Sequence, residues 1–441
     1  MVNKPPQPGT LSRALRLGKL GFSLTGSYLG YQAQNLLWGQ DEGRQRRFRL
    51  SSSQRLREEL GSLKGAAMKL GQILSLQTQT LPEEVIHELA SLQMHAPGMH
   101  PTLARAQFKA ALGNYPEEVF RQFEQEPFAA ASLGQVHRAV TRQGETVAVK
   151  IQYPAIRAAI ENDLKLLRSA ALPARASGHL PRAVFDEVER GFLEETDYIR
   201  EGKNLEYFGA ALAELPWVTV PKVYWNTTTE RVLTMSFVEG ETVEVFLARK
   251  PPVALRNLLG ARLVELYYYQ IHRLRRVHAD HHPGNYLFQP DGRIGVVDFG
   301  CVKKINFDIS ALIRSCIARS WRRGNKEMRE TLELMFGPKI PHARARKMVP
   351  TLERMVSLLY PEKNAEVDFS NGELLKVLAE AMRRAVQDKS SNPEFAFITR
   401  ADLGLFSLLH RLGAKVKVRA VWSKVDAQAG VGESKTANKH E

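Results

Sequence analysis

The sequence predicts an α+β fold, with a strand-rich stretch over about residues 115–240 followed by a helix-rich one over 241–425. Three observations predict it. Thr146 to Lys150 and Arg231 to Gly240 are apolar runs of strand length flanked by turn residues such as Gln143-Gly144. Leu255, Leu258, Leu259, Leu263 and Leu266 recur at helical spacing, and helical patterning continues through Leu409, punctuated by Pro341, Pro350, Pro361 and Pro393. Inside that helical half lies a polar stretch, His278 to Asn285, followed by a hairpin and by Asp298-Phe299-Gly300.

The polar stretch carries the chemistry. An H-x-D triplet with an Asn five residues after the Asp, then a D-F-G triplet past the next hairpin, is the layout of a protein-kinase catalytic loop and metal anchor. Asp280 is the carboxylate that orients or deprotonates a nucleophile. Asn285 and Asp298 supply the hard oxygen ligands that suit Mg²⁺ beside phosphates. Tyr286 to Phe288 reads as a strand, Gln289 to Gly292 as a turn and Arg293 to Val297 as the returning strand, which brings Asn285 beside Asp298. The three consecutive tyrosines, Tyr267 to Tyr269, read as packing residues of the helix that leads into the loop.

Upstream, Pro127 to His137 reads as a loop that precedes a strand-like run and the Gln143-Gly144 turn, and Val147-Ala148-Val149-Lys150 as the strand whose lysine reaches the α and β phosphates of a nucleotide. Ala129, Ala130, Ala131 and Ser132 stand where a kinase has a glycine-rich lid. Their Cβ atoms predict a stiffer cover with altered nucleotide preference or slower transfer. A helix is expected through Glu195 and Glu201, with Asp197 and Glu201 on one face and Glu201 as the partner of Lys150. Val184, Val188, Phe192, Leu205 and Phe208 mark its apolar side. Thr219 to Trp225 and Arg231 to Gly240 read as two further strands, and backbone groups at Met235, Phe237 and Val238 are placed to meet an adenine edge.

The first 50 residues combine Arg13, Arg16 and Lys19 with an uncharged stretch from Leu20 to Trp38 and a second basic cluster, Arg44 to Arg49. The uncharged stretch is too polar for a membrane span and suits an interfacial helix on an anionic membrane, or a helix packed on the body. Leu56, Leu60, Leu63, Ala67, Leu70 and Leu74 then predict an amphipathic helix ending near Pro82, with Lys69 and Gln72 flanking a helix-interior glycine. Residues 51–114 form this helical extension. From Asp426 onward the composition is small, polar and charged, which predicts a disordered tail.

Sixty-two Lys and Arg against forty-seven Asp and Glu leave a formal charge of +15. The basic residues are scattered and no nucleic-acid module is recognisable, so no nucleic-acid partner is expected. Two cysteines, Cys301 and Cys316, are too few for a disulfide framework and suit a reducing compartment, so a cytoplasmic location is expected, peripheral to the inner face of a membrane.

Lys69-Leu70-Gly71-Gln72, Ala129 to Ser132, Val147 to Lys150, Glu195-Thr196-Asp197, His278 to Asn285 and Asp298-Phe299-Gly300 occur in this order. Together they resemble the UbiB/AarF family of atypical kinase-like proteins over about residues 50–420. The resemblance implies a bilobal protein-kinase-like fold, adenine nucleotide (ATP or ADP) with Mg²⁺, and ATPase or unorthodox kinase activity. It further implies support of ubiquinone or other isoprenoid-lipid metabolism at a membrane, with a quinone-precursor lipid and lipid-biosynthesis proteins as partners. Lys69 and Gln72 would then lie near Glu195 and Asp197 over the substrate groove, favouring transfer to water or a small acceptor over transfer to proteins. Two departures stand out: His281, where the family usually has Pro or another apolar residue, and Arg275-Arg276, where small or aromatic residues are usual.

Three other readings compete. A small-molecule kinase of the aminoglycoside or choline type shares the H-x-D-x-H-P-x-N loop. A zinc hydrolase would use His278, Asp280, His281 and His282. A nucleotide-dependent scaffold would keep the binding groups without turnover.

Overall fold

A computed structural model describes residues 99–131, 133–158, 160–161, 193–306, 309–319, 342–362, 365–378 and 393–437, together with Lys326, Glu330, Leu332, Glu333 and Glu380. The expected N-terminal segment, the helix of Lys69 and Gln72, Ser132, and Val184, Val188 and Phe192 lie outside them. The described chain forms two compact units. One holds residues 99–200 with Tyr224–Ser236, and the other holds Glu201–Val223 with the chain from Phe237 onward.

The first unit opens with α1 (Pro101–Leu112). Pro101 pre-sets the first turn, His100 accepts a hydrogen bond from the Thr102 N–H, and Gly113 closes the helix at φ 85°. After the single turn α2 (Pro116–Val119) come β1 (Gln122–Phe123), β2 (Ala129–Ala131), β3 (Gly134–Val140) and β4 (Thr146–Gln152). The chain leaves along α3 (Tyr198–Ala211), contributes β5 (Val218–Thr219) to the second unit, and returns as β6 (Val232–Ser236). The sheet order is β1-β3-β4-β6, with β2 paired to β3, and every pair is antiparallel.

Alternation along β4 decides what this sheet presents. Val147, Val149 and Ile151 share the core with Phe108 of α1, Phe120 and Val232, so Ala148, Lys150 and Gln152 belong to the other face. At the start of β3, any side chain in place of Gly134 would run into the Ile151 carbonyl, so β3 lies close against β4 there.

Four expectations change in this unit. Ala129 to Ala131 form a strand in register with Val136, Gln135 and Gly134, not a loop, because alanine accepts extended backbone angles that a glycine-rich loop would leave undetermined. The boundary near residue 114 is not structural, since α1 belongs to the sheet's own core. Thr219 to Trp225 is not a strand of this sheet. Pro221 ends β5 after two residues, and Trp225–Thr227 is a 3₁₀ turn. The boundary at 240 moves as well, because β6 ends with the first unit at Ser236 while residues 201–223 belong to the second.

The second unit continues from β5 with α4 (Val243–Ala248) and α5 (Val253–Tyr268). The latter widens into a π-helical turn, Tyr269–Leu274, and stops at Arg275 in the left-handed region, φ 47°. Then follow β7 (Arg276–His278), β8 (Tyr286–Phe288), β9 (Ile294–Val296) and β10 (Val302–Lys304), paired as β5-β9-β8 and β7-β10. The rest is α6 (Ile309–Ile317), α7 (His342–Leu359), β11 (Val367–Asp368), α8 (Pro393–Leu412), β12 (Lys415–Val416) and α9 (Val418–Ala437). Pro393 starts α8 as expected, whereas Pro350 lies inside α7, where it removes one ladder hydrogen bond. Helix α9 is drawn from Val418 to Ala437, past Asp426. Buried Trp422 and Val425 and the Arg314–Asp426 ion pair at 2.9 Å anchor its first half, and extending a formed helix costs far less than starting one.

The helical core holds a small pocket of about 80 Å³ whose walls include Val264, Ile309, Leu312, Val356 and Leu405. Tyr267 donates to Asp402 Oδ1 at 2.7 Å, and the Tyr268 and Tyr360 hydroxyls pair at 2.9 Å. Burial pushes the Cys316 thiol up to about 12. Burial also pushes the Asp402 carboxyl up to about 7, with the Tyr267 hydrogen bond opposing it. The tyrosine triplet is thus packing with assigned partners, as its position in the helix predicts.

The raised Asp402 value makes stability depend on pH. The unfolded chain loses this proton near pH 4 while the folded protein retains it to about pH 7, so stability falls across that interval and stays lower above it. Asp402→Asn, which still accepts from Tyr267, is expected to abolish this component. It should gain on the order of 2–4 kcal/mol relative to wild type at pH 8 and much less at pH 5, read from urea unfolding at both values. An equal difference at the two pH values would refute the burial account.

Candidate active site

The catalytic-loop motif is suspended from a two-stranded ladder. His278 pairs with Val302 across β7 and β10, its N–H donates to Gln270 Oε1 at 2.8 Å, and the Ala279 N–H donates to the Cys301 carbonyl at 2.9 Å. The chain then turns through Asp280 to a 3₁₀ turn at Pro283–Asn285, closed by the Asn285 N–H on the His282 carbonyl at 2.9 Å. Asn285 Nδ2 donates to the Asp280 carbonyl at 2.9 Å, which directs the amide oxygen away from the loop.

The hairpin forms as its turn residues predict. Tyr286 pairs with Val296, and Gly292 takes φ 86° at the turn, which a glycine accepts without strain. Beyond it the Val297 N–H donates to the Asn285 carbonyl at 3.1 Å, bringing Asp298 next to Asn285. Asp298 Oδ1 accepts from the Gly300 N–H at 2.9 Å. Asp280, Asn285 and Asp298 are all half-buried. They put two carboxylates and an amide oxygen on one short loop and hairpin, a donor set that fits a hard, oxygen-seeking cation such as Mg²⁺.

Phe299 fixes this arrangement from beneath. Its ring is fully buried, stacked on Phe208 of α3 at 4.5 Å and 21°, and tilted against His278 at 5.3 Å. Its carbonyl accepts from Asn204 Nδ2 at 2.9 Å. Asn204 and Gln270 were not legible as site residues. A lone amide in a helix has no sequence signature, and each acts by holding backbone next to a motif.

The imidazoles of the loop do not converge. His282 Nδ1 accepts from the Gly284 N–H at 3.1 Å on the exposed side, His281 Nδ1 pairs with the Tyr286 hydroxyl in the interior, and His278 packs on Phe299. Among the described residues no group of three or more His, Cys, Asp or Glu is placed to hold a metal ion, and the zinc-hydrolase reading is set aside.

In the first unit Lys150 is only 5% exposed, and its ammonium lies 5.0 Å from the centre of the Tyr198 ring. The Glu195–Asp197 motif differs from the continuous helix expected. A turn at Thr196 interrupts it, and Asp197 caps α3, its Oδ1 accepting from the Arg200 N–H at 3.0 Å. Asp197 and Glu201 therefore do not share a helical face. Short polar side chains favour this capping position because they satisfy backbone donors that the first helical turn leaves open. Glu195 is half-buried in the turn of helix before the break. Gln152 holds the break in place, its amide donating to the carbonyls of Thr196 at 2.8 Å and Glu230 at 3.3 Å. Glu201, 2% exposed in the second unit, follows Tyr198 by one helical turn on the same face of α3. Met235 lies inside the β4–β6 ladder opposite Ala148, whereas Phe237 and Val238 follow its last pair, Val147–Ser236.

Comparison with known proteins places this geometry. Residues 91–332 match the ABC1 atypical kinase-like domain, more than half of the chain. The chain belongs to that family. It is similar to the chloroplastic protein Activity of bc1 complex kinase 7 of Arabidopsis thaliana, 34% identical over 60% of this chain and 39% of that protein. It is also similar to the probable protein kinase UbiB of Pseudomonas paraeruginosa, 35% identical over 54% of this chain and 46% of that protein. The chain thus spans less than half the length of either of these two curated relatives. Among solved structures, the complex of Rv3197 with erythromycin from Mycobacterium tuberculosis matches with a TM-score of 0.61 and 28% identity, covering 83% of this chain and 93% of that one. The α+β fold is therefore kinase-like, as the motif order implies, and the match to UbiB bears out the family resemblance.

Because Phe299 bridges the metal-anchor triplet to α3, Phe299→Ala is expected to lower unfolding stability by about 3–5 kcal/mol, measured by urea titration. A loss below about 1 kcal/mol would mean that the ring is not the support described.

Proposed function

We propose that this protein is an atypical kinase-like ATPase that binds MgATP or MgADP and supports ubiquinone or other isoprenoid-lipid metabolism at a membrane surface. The observation that carries the reading is the placement of Asn285 and Asp298 on adjacent ends of one hairpin, with Asp280 bonded to Asn285 through its carbonyl. Membership in a kinase-like family supports nucleotide chemistry in general.

Asn285 and Asp298 would hold Mg²⁺, which when bound neutralises phosphate charge and orients the nucleotide. Lys150 takes the role of the phosphate-binding lysine, and Glu201 that of the acidic residue which the kinase pattern assigns to that lysine. The strand Ala129–Ala131 covers phosphates as a stiff hairpin, Ser132 keeps the lid role that the motif implies, and the backbone at Met235, Phe237 and Val238 meets the adenine edge. Asp280 positions water or a small acceptor. Lys69, Gln72, Glu195 and Asp197 keep the roles the family resemblance implies, restricting the acceptor that reaches the γ-phosphate. An anionic membrane, a quinone-precursor lipid and lipid-biosynthesis proteins are the partners this reading proposes. It also places the protein in the cytoplasm at the inner face of a membrane, and among the described residues no helix is long and apolar enough to cross one.

The test is ATP hydrolysis by the purified protein, with and without anionic liposomes or a quinone-precursor mimic. Wild type is expected to turn over ATP in a Mg²⁺-dependent way, with Asp298→Asn and Asp280→Asn each reduced roughly 10²–10³-fold. Nucleotide binding with no turnover under any condition would instead support a nucleotide-dependent scaffold. Stimulation by small alcohols and not by lipid would support a small-molecule kinase.

A further inference from the structure

His281 stands beside Asp280 in the catalytic loop, and the described contacts give it a position rather than an exposed role. It is 5% exposed, and its Nδ1 hydrogen-bonds the buried Tyr286 hydroxyl. The two rings lie nearly parallel at 5.9 Å and 16°. Tyr267 of α5 meets the imidazole edge-on at 5.5 Å and 76°, and His278 does so at 5.6 Å and 74°. Enclosed by these rings, His281 is a packing and hydrogen-bonding group of the loop interior.

The His281–Tyr286 bond is the second of two bonds that close the same short loop. Asn285 Nδ2 bonds the Asp280 carbonyl, and one residue further on at each end His281 bonds Tyr286. The catalytic carboxylate and the amide ligand are thus spaced by a pair of side-chain bonds across five residues of chain. Helix α8 presses on that loop from outside. A Cβ built on Gly404 would come within 2.8 Å of His281 Cβ and 3.4 Å of its carbonyl oxygen, so only glycine lets the helix lie this close. Two residues earlier on α8, Asp402 grips Tyr267, the same tyrosine that meets His281 edge-on.

We propose that His281 is a positioning residue for Asp280 and Asn285, and that α8 sets its position through Gly404 and the Asp402–Tyr267 bond. Helix α8 lies beyond the segment matched by the family model but in the same compact unit as the catalytic loop, so part of what spaces the loop is supplied from outside the matched segment. Position 281 is thereby a hydrogen-bonded spacer paired with Tyr286.

The proposal rests on the ATPase reading for its kinetic test, and a second measurement is independent of turnover. His281→Phe, Tyr286→Phe and Gly404→Ala are expected to lower kcat for ATP roughly 10–100-fold with KM for ATP held within about twofold. His281→Asn, whose amide stands in for Nδ1, should keep kcat within about threefold of wild type. Hydrogen–deuterium exchange should rise in the 279–286 peptide of the three impaired variants, with the 134–152 peptide unchanged. If His281→Asn loses as much as His281→Phe, or if the loop peptide exchanges as in wild type in all three impaired variants, the proposal is overturned. A wild type that shows no ATP turnover would overturn the ATPase reading alone, because the exchange result still decides the positioning role. Should Gly404→Ala fail to fold, Tyr286→Phe and the two His281 variants decide.

Discussion

The second unit depends on one buried ring. Phe299 has no exposed surface, and it is packed between Phe208 of α3 and His278 at the end of β7. An aromatic ring enclosed in this way contributes both a large transfer term and specific ring contacts. The residues on either side of it, Asp298 and Gly300, cannot shift independently of α3. The same ring supports the start of the His278–Asn285 loop, so Asp298 and the Asp280 loop share a foundation. Asn204 adds the polar half of the attachment by satisfying the Phe299 carbonyl, which would otherwise be left in a partly closed environment.

From that foundation outward, the loop is built by satisfying backbone groups with side chains. Gln270 takes the His278 N–H, Asn285 takes the Asp280 carbonyl, and His282 takes the Gly284 N–H. Each of these bonds removes a rotational freedom from a residue beside a candidate ligand or base, and none needs a charged partner. In the first unit the logic is different. Strand alternation alone puts Val147, Val149 and Ile151 into the core and Lys150 on the opposite face, where Tyr198 covers it.

How much was legible depended on the range of the interaction. The β3–β4 hairpin, the β8–β9 hairpin and the helix into the catalytic loop follow from periodicity and turn residues within a dozen positions, and they were read correctly. The Ala-rich segment was misread because its glycine-rich counterpart is a loop, yet three alanines beside a strand complete a ladder. The Glu195–Asp197 helix was misread because a helical pattern does not reveal a break where a carboxylate caps a new helix.

By itself the sequence determined the family, the motif order and the chemical identity of the oxygen donors, because those depend on residue type and on short spacings that a hairpin or a loop enforces locally. Tertiary structure alone decided which neighbours hold them: Phe208 and Asn204 from α3, Gln270 from the π-helical turn, Gly404 and Asp402 from α8. These contacts join residues separated by up to more than a hundred positions, and the requirement they meet is close packing and satisfied buried polar groups. Neither requirement leaves a pattern along the chain. His281 shows the division most clearly: the sequence marks it as unusual, and only the packing of Tyr286, Tyr267 and Gly404 around it says what the unusual residue does.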